Sequence, residues 1–169
     1  MADSFDRFAR ELQETIIQDA RVHYSLRVVD LWLNPRNLGV LNHPQGHAKI
    51  KGPCGDTMEI FLEIARDRIT KATFMTDGCG PTLAAGSMAT QLAIGKPLHD
   101  AAKITQDAIL KALGGLPDES KHCALLAANT LAKAIAEYLS ATASRKPNAS
   151  VIENRGSATV RSVEKSDDP

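Results

Sequence analysis

The chain has 169 residues, 43% of them apolar and 24% charged, enough for one domain with a sizeable core and some chain left over. Its 20 Lys and Arg balance 20 Asp and Glu, so no strong field would draw it onto nucleic acid or an anionic membrane. No apolar run approaches the ~20 residues that a membrane-spanning helix needs.

The opening MADSFDRFAREL is charged from the start and lacks the apolar core of a signal peptide, which points to a soluble, cytoplasmic protein. Phe5, Phe8, Leu12 and Ile16 recur at helical spacing and predict an amphipathic helix over residues 4–20, with both phenylalanines in the core. A second helix, YSLRVVDLWL, runs from Tyr24 and stops before Pro35; its Trp32 reads as core. Residues 36–53 are rich in Gly, Pro, Asn and His and read as loops around one or two short strands. His43 and His47 lie four apart in HPQGH, but Pro44 and Gly46 exclude a helix, so both are taken as loop residues. His23 and His99 have no partners in the sequence and read as surface residues.

In TMEIFLEI, Met58, Ile60, Leu62 and Ile64 alternate with Thr57, Glu59 and Glu63. Phe61 interrupts the polar face, which predicts partial cover of that face by a helix. ARDR makes a tight turn and ITKATFMT the second strand of an antiparallel hairpin. That strand runs into DGCGP and a helix from Pro81 to Ile94, punctuated by Pro81 at its start and by Gly95 and Pro97 after its end. Small residues in this helix, Ala84, Ala85, Gly86, Ser87 and Ala89, predict close packing on the sheet. A short helix over QDAILKAL, the break GGLPDES and a long helix from KHCALL follow. Beyond Ser140 the chain turns polar and is expected to be disordered. The expected division is an extra helix over residues 1–22, a domain over 23–140 and a tail over 141–169. The fold class is α+β: a small three-stranded antiparallel sheet with helices packed mainly on one face.

Three cysteines, Cys54, Cys79 and Cys123, are too few, too odd and too far apart for a disulfide framework. Their bland reading is three unrelated buried thiols. Their settings argue otherwise. Cys54 sits in PCGD, in the loop entering the first hairpin strand, where Gly55 lets backbone approach a ligand and Asp56 offers a carboxylate. Cys79, in DGCGP, begins a helix whose dipole favours a thiolate; the bland alternative is that its flanking glycines serve only turn geometry. Cys123 follows His122 at another helix start. Three thiols, an imidazole and a carboxylate form a ligand set for zinc or for iron in a sulfide cluster. The separations of 25 and 44 residues match no short zinc-finger pattern, so context carries the signal.

The order YS, NPRN, PCGD, TDGCG, LP and HC, from Tyr24 to Tyr138, resembles the NifU/IscU-type iron–sulfur cluster assembly scaffold, a SufE/NifU-like fold. The resemblance implies that Cys54, Cys79 and Cys123 hold a transient [2Fe–2S] cluster, with Asp56 or His122 as fourth ligand and zinc in the site when no cluster is present. It implies a cysteine desulfurase as sulfur donor, apo iron–sulfur proteins as recipients, and room for a homodimer. Cys123 is the candidate persulfide acceptor, with Cys54 as runner-up. The role is that of a carrier, not a catalyst. A carboxylate is a poor match for iron already bonded to sulfide, so Asp56 would favour ligand exchange and release.

The chain departs from the family in four places. Scaffolds served by a dedicated Hsp70-type chaperone carry LPPVK before the His-Cys pair; here Leu116 and Pro117 are followed by Asp118, Glu119 and Ser120, which argues against that chaperone, and Lys121 comes one place late. Asp77 stands where an aromatic residue is usual and reads as a solvated strand end or a tuning charge. The helix over 4–20 is extra, a cover for the sheet or a partner surface. No second cluster domain follows residue 140. Zinc-bound sulfur-transfer relatives have an insertion between the second and third cysteines and lack the histidine, so His122–Cys123 favours the cluster-building branch. Tyr24 reads equally as a desulfurase contact or as packing on the sheet. The rivals are a Cys/His thiol enzyme and a structural zinc protein. The first is disfavoured because adjacent helical residues point ~100° apart.

Overall fold

Strict alternation requires one face of a strand to be dry. In the computed structural model, which describes residues 2–145, Met58, Ile60 and Leu62 are completely buried on the central strand of a three-stranded antiparallel sheet. The strands are β1 (Gly46–Lys51), β2 (Thr57–Ala65) and β3 (Arg68–Thr76), in the order β1-β2-β3. Gly46 pairs with Leu62 and Lys51 with Thr57 on one side of β2; Met58 pairs with Thr76 on the other. The β2–β3 turn places Arg66 at φ 52° and Asp67 at φ 60°. Two consecutive left-handed residues give the turn the twist of its flanking strands.

The helices are α1 (Ala2–His23), α2 (Leu26–Leu33), α3 (Gly80–Ala93), α4 (Leu98–Ala101), α5 (Gln106–Leu113) and α6 (Lys121–Arg145), with a 3-10 turn at Asp118–Ser120. α3 and α6 cover the apolar face of the sheet and share one core with Ile60, Leu62 and Phe74. The small residues of α3 do what their size suggests: a Cβ on Gly86 would stand 2.5 Å from the Phe74 ring. Gly95 follows α3 at φ 82°, the left-handed position that glycine tolerates best. Ser25 caps α2 through the Val28 N–H, so α2 begins two residues after Tyr24.

Several expectations fail, most of them for a packing reason. Phe5 and Phe8 are 70% and 61% exposed, not core. Their helix rests on α2, across a groove lined by Ile16, Ile17, Val29 and Trp32, and does not cover the sheet, whose apolar face α3 and α6 already fill. Phe61 is buried without joining the common core; the His47 ring, not a helix, stacks on it at 4.9 Å. His47 is therefore a strand residue, held to Glu59 Oε1 at 2.7 Å, and not a loop residue. α6 continues to Arg145, past the expected end at Ser140, and the rest of the expected tail lies outside the described residues.

Candidate metal centre

The β1–β2 loop closes on itself. The Gly52 N–H donates to the Asp56 carbonyl at 2.7 Å and the Gly55 N–H to the Gly52 carbonyl at 3.1 Å. This leaves Cys54 exposed on the turn and Asp56 partly buried beside it. Gly55 is needed for its φ of 95°, and no protein atom crowds it.

β3 ends at Thr76, and Cys79 becomes the N-cap of α3, its carbonyl accepting from Leu83 N–H at 3.0 Å. Both glycines beside it clear space for identifiable groups. A Cβ on Gly78 would stand 2.5 Å from Asp56 Oδ2, and one on Gly80 would meet the Trp32 ring at 2.1 Å. Asp77 turns away: its Oδ1 accepts from the Thr57 N–H at 2.6 Å, and that bond holds its pKa below the usual carboxylate range. It stitches the ends of β2 and β3 together, which supports the strand-end reading.

Cys123, third residue of α6, is buried and faces Thr82 of α3. Thr82, fully buried, lies within reach of three site residues. Its hydroxyl lies 2.8 Å from Asp56 Oδ2, 3.3 Å from Cys123 Sγ and 3.5 Å from Cys79 Sγ. His122 Nε2 lies 3.6 Å from Cys123 Sγ, so these neighbours do approach despite their angular separation on the helix. Burial pushes the Cys123 thiol up to about 11, and the nearby Cys79 and Cys54 push it the same way; the Thr82 hydrogen bond opposes them. The expected helix-start thiolate is thus overridden by desolvation. The helix start beside His122 favours Cys123 as persulfide acceptor, but in this conformation the accessible thiols are Cys54 and Cys79. The same burial weakens the thiol-enzyme reading, because the nucleophile must be a thiolate.

The structure thus gathers Asp56, Cys79 and Cys123 about one threonine, with His122 against Cys123 and Cys54 close enough to act electrostatically on Cys123. The donor set suits iron or zinc. Among the described residues, no three Cys, His, Asp or Glu side chains already stand as a closed metal cage. Thr82 is the residue that sequence reasoning missed. Its signal was its place three residues after Cys79, which puts it on the same side of the helix. Tyr24 packs edge-on against Trp32 at 6.3 Å, and its hydroxyl lies 3.3 Å from Ser120 Oγ, so it braces the start of α2 against the turn before α6.

Residues 23–145 match the family described as NifU-like N terminal domain. The chain is 44% identical over 116 residues to the iron-sulfur cluster assembly scaffold protein IscU 1 of Archaeoglobus fulgidus, covering 68% of this chain and 76% of that one. It is 40% identical over 120 residues to the iron-sulfur cluster assembly scaffold protein IscU of Rickettsia prowazekii, covering 68% and 91%. The fold is similar to the crystal structure of a nitrogen-fixing NifU-like protein (N-terminal) from Brucella abortus, with a TM-score of 0.56 at 20% identity over 69% of this chain and 94% of that one.

Proposed function

The chain belongs to the NifU-like N-terminal domain family, and from that membership we propose that it is a scaffold on which an iron–sulfur cluster is built and then passed to acceptor proteins. One observation carries the reading: Asp56, Cys79 and Cys123, drawn from three separate parts of the chain, converge on one buried hydroxyl. Cys54, Cys79 and Cys123 supply soft sulfur ligands for a [2Fe–2S] cargo. Asp56 or His122 supplies the harder fourth position, and zinc suits the same set when no cluster is present.

Sulfur reaches the site from a cysteine desulfurase. An acceptor thiolate attacks the outer sulfur of the donor persulfide; a new S–S bond forms, the old one breaks, and the donor cysteine leaves as a thiolate. Exposed Cys54 meets such a donor first, and Cys123 follows only when its contact with Thr82 opens. The peptide before α6 argues against a dedicated Hsp70-type chaperone: Asp118 pairs with Lys121, so the lysine is turned back on its own turn. The extra helix over residues 1–22 lies outside the matched region, which supports a scaffold domain beginning at about residue 23. A cytoplasmic setting is part of the same proposal. No described helix is long and apolar enough to cross a membrane.

Cluster transfer tests the function. A chain loaded under anaerobic conditions should convert an apo-ferredoxin to its holo form, and Asp56→Ala should hold its cluster longer. A loaded wild-type chain that never delivers its cluster would refute the scaffold role. Equal transfer by both chains would remove Asp56 as the release ligand.

A further inference from the structure

The site contains one polar group that no ligand set explains. Thr82 is fully buried, yet it sits on α3 between the carboxylate and the thiols of Cys79 and Cys123. A buried hydroxyl without partners costs about 1–3 kcal/mol, so its position among those three groups has an energetic basis. Thr82 has a single O–H and can donate to one acceptor at a time. The charged carboxylate, at 2.8 Å, is a stronger acceptor than the thiol at 3.3 Å. The room for this bond is made by Gly78, whose missing side chain would otherwise strike both Asp56 Oδ2 and Thr82 Cβ.

We propose that Thr82 is a positioning residue for the metal site: its hydroxyl turns Asp56 toward Cys79 and Cys123 and holds it by Oδ2 alone. Among the described residues, Oδ1 accepts no hydrogen bond and stays available to a metal ion. The role rests on the ligand set proposed above for Asp56 and the cysteines. It gives Asp56 two properties that a mobile surface carboxylate lacks. The side chain is aimed before metal arrives, which lowers the ordering cost of binding. Its hold on the metal also depends on a partner that remains in place after the carboxylate lets go. Outer partners of ligating carboxylates commonly contribute about 10–100-fold in metal affinity.

Cobalt(II) titration of the whole chain separates this role from simple packing, because thiolate–cobalt absorption reports the cysteines and the ligand-field bands report the fourth ligand. Thr82→Val keeps the shape and removes the hydroxyl. It should lower cobalt affinity by about tenfold or more and shift the ligand-field bands, with the thiolate bands retained. Thr82→Ser should restore both. In an Asp56→Ala background, Thr82→Val should have no further effect on affinity. Where valine disturbs folding, Thr82→Ala repeats the comparison without overpacking. Unchanged affinity and spectrum in Thr82→Val would overturn the inference, as would a full Thr82→Val effect persisting without Asp56. A wild-type chain with no thiolate–cobalt absorption would contradict the site itself, a result distinct from either of these.

Discussion

The indole of Trp32 lies against the backbone of Gly80, so closely that a Cβ there would fall 2.1 Å from the ring. Gly80 follows Cys79 directly, and Trp32 is the only tryptophan in the chain. α2 is thereby packed onto the residue that begins α3, next to Cys79. Gly80→Ala must push the indole out, at a cost of about 1–3 kcal/mol or more for overpacking. Thermal denaturation should show the loss, and Trp32 emission should move to the red as the ring gains solvent. A variant with unchanged melting and emission would refute the contact.

The thiols should differ in reactivity. Cys54 and Cys79 are exposed, whereas Cys123 is buried with its thiol pushed up to about 11. With limiting iodoacetamide at pH 8, peptide mass spectrometry of the metal-free chain should find label on Cys54 and Cys79 well before Cys123. Early label on Cys123 would mean that its contact with Thr82 opens freely in solution. The same method, after incubation with a cysteine desulfurase, should find persulfide first on Cys54; persulfide only on Cys79 would count against both candidate acceptors.

Cys123 also sets a pH dependence of stability. Its folded pKa is raised from 9.0 to about 11, chiefly by desolvation, so the folded state keeps the proton that an unfolded chain gives up near 9. The folded state therefore binds more protons than the unfolded one between these values. Stability should fall as pH climbs through this window, and the part due to Cys123 is fully present below 9 and lost by about 11. Denaturant midpoints of the metal-free wild type and Cys123→Ala should converge or cross over that range. Parallel curves would show that burial does not hold the thiol protonated.

Phe5 and Phe8 on α1 are mostly exposed. Replacing both with serine should change stability by no more than about 0.5 kcal/mol per site, the usual range for surface positions. A large drop in melting temperature would show that α1 packs more tightly than its exposed face implies.

Much of the fold was readable because periodicity reports burial directly. The alternation in TMEIFLEI gave the central strand, and Pro81 with Gly95 bracketed α3. Phe5 and Phe8 misled because an apolar stripe requires a surface to cover it but does not name that surface; α3 and α6 had already filled the sheet. His47 was misplaced because its ring is held by cross-strand stacking on Phe61, a contact set by register and not by local sequence. In the site, Cys54, Asp56, Cys79, His122 and Cys123 were all nominated from local context, while Thr82 was not. A threonine in the first turn of a helix is ordinary, and only the meeting of three chain segments gives this one its partners. The protonation of Cys123 was missed for a related reason, since local sequence suggests a helix start and burial is a tertiary property.

The central claim is that three distant cysteines share one iron–sulfur cargo. Anaerobic reconstitution with iron and sulfide, read by visible absorption and iron counting, tests it on wild type and on Cys54→Ala, Cys79→Ala and Cys123→Ala. The wild type should gain iron–sulfur absorption with stoichiometric iron, and each variant should lose most of it. A wild type that takes up no iron, or three variants that load as it does, would contradict the account.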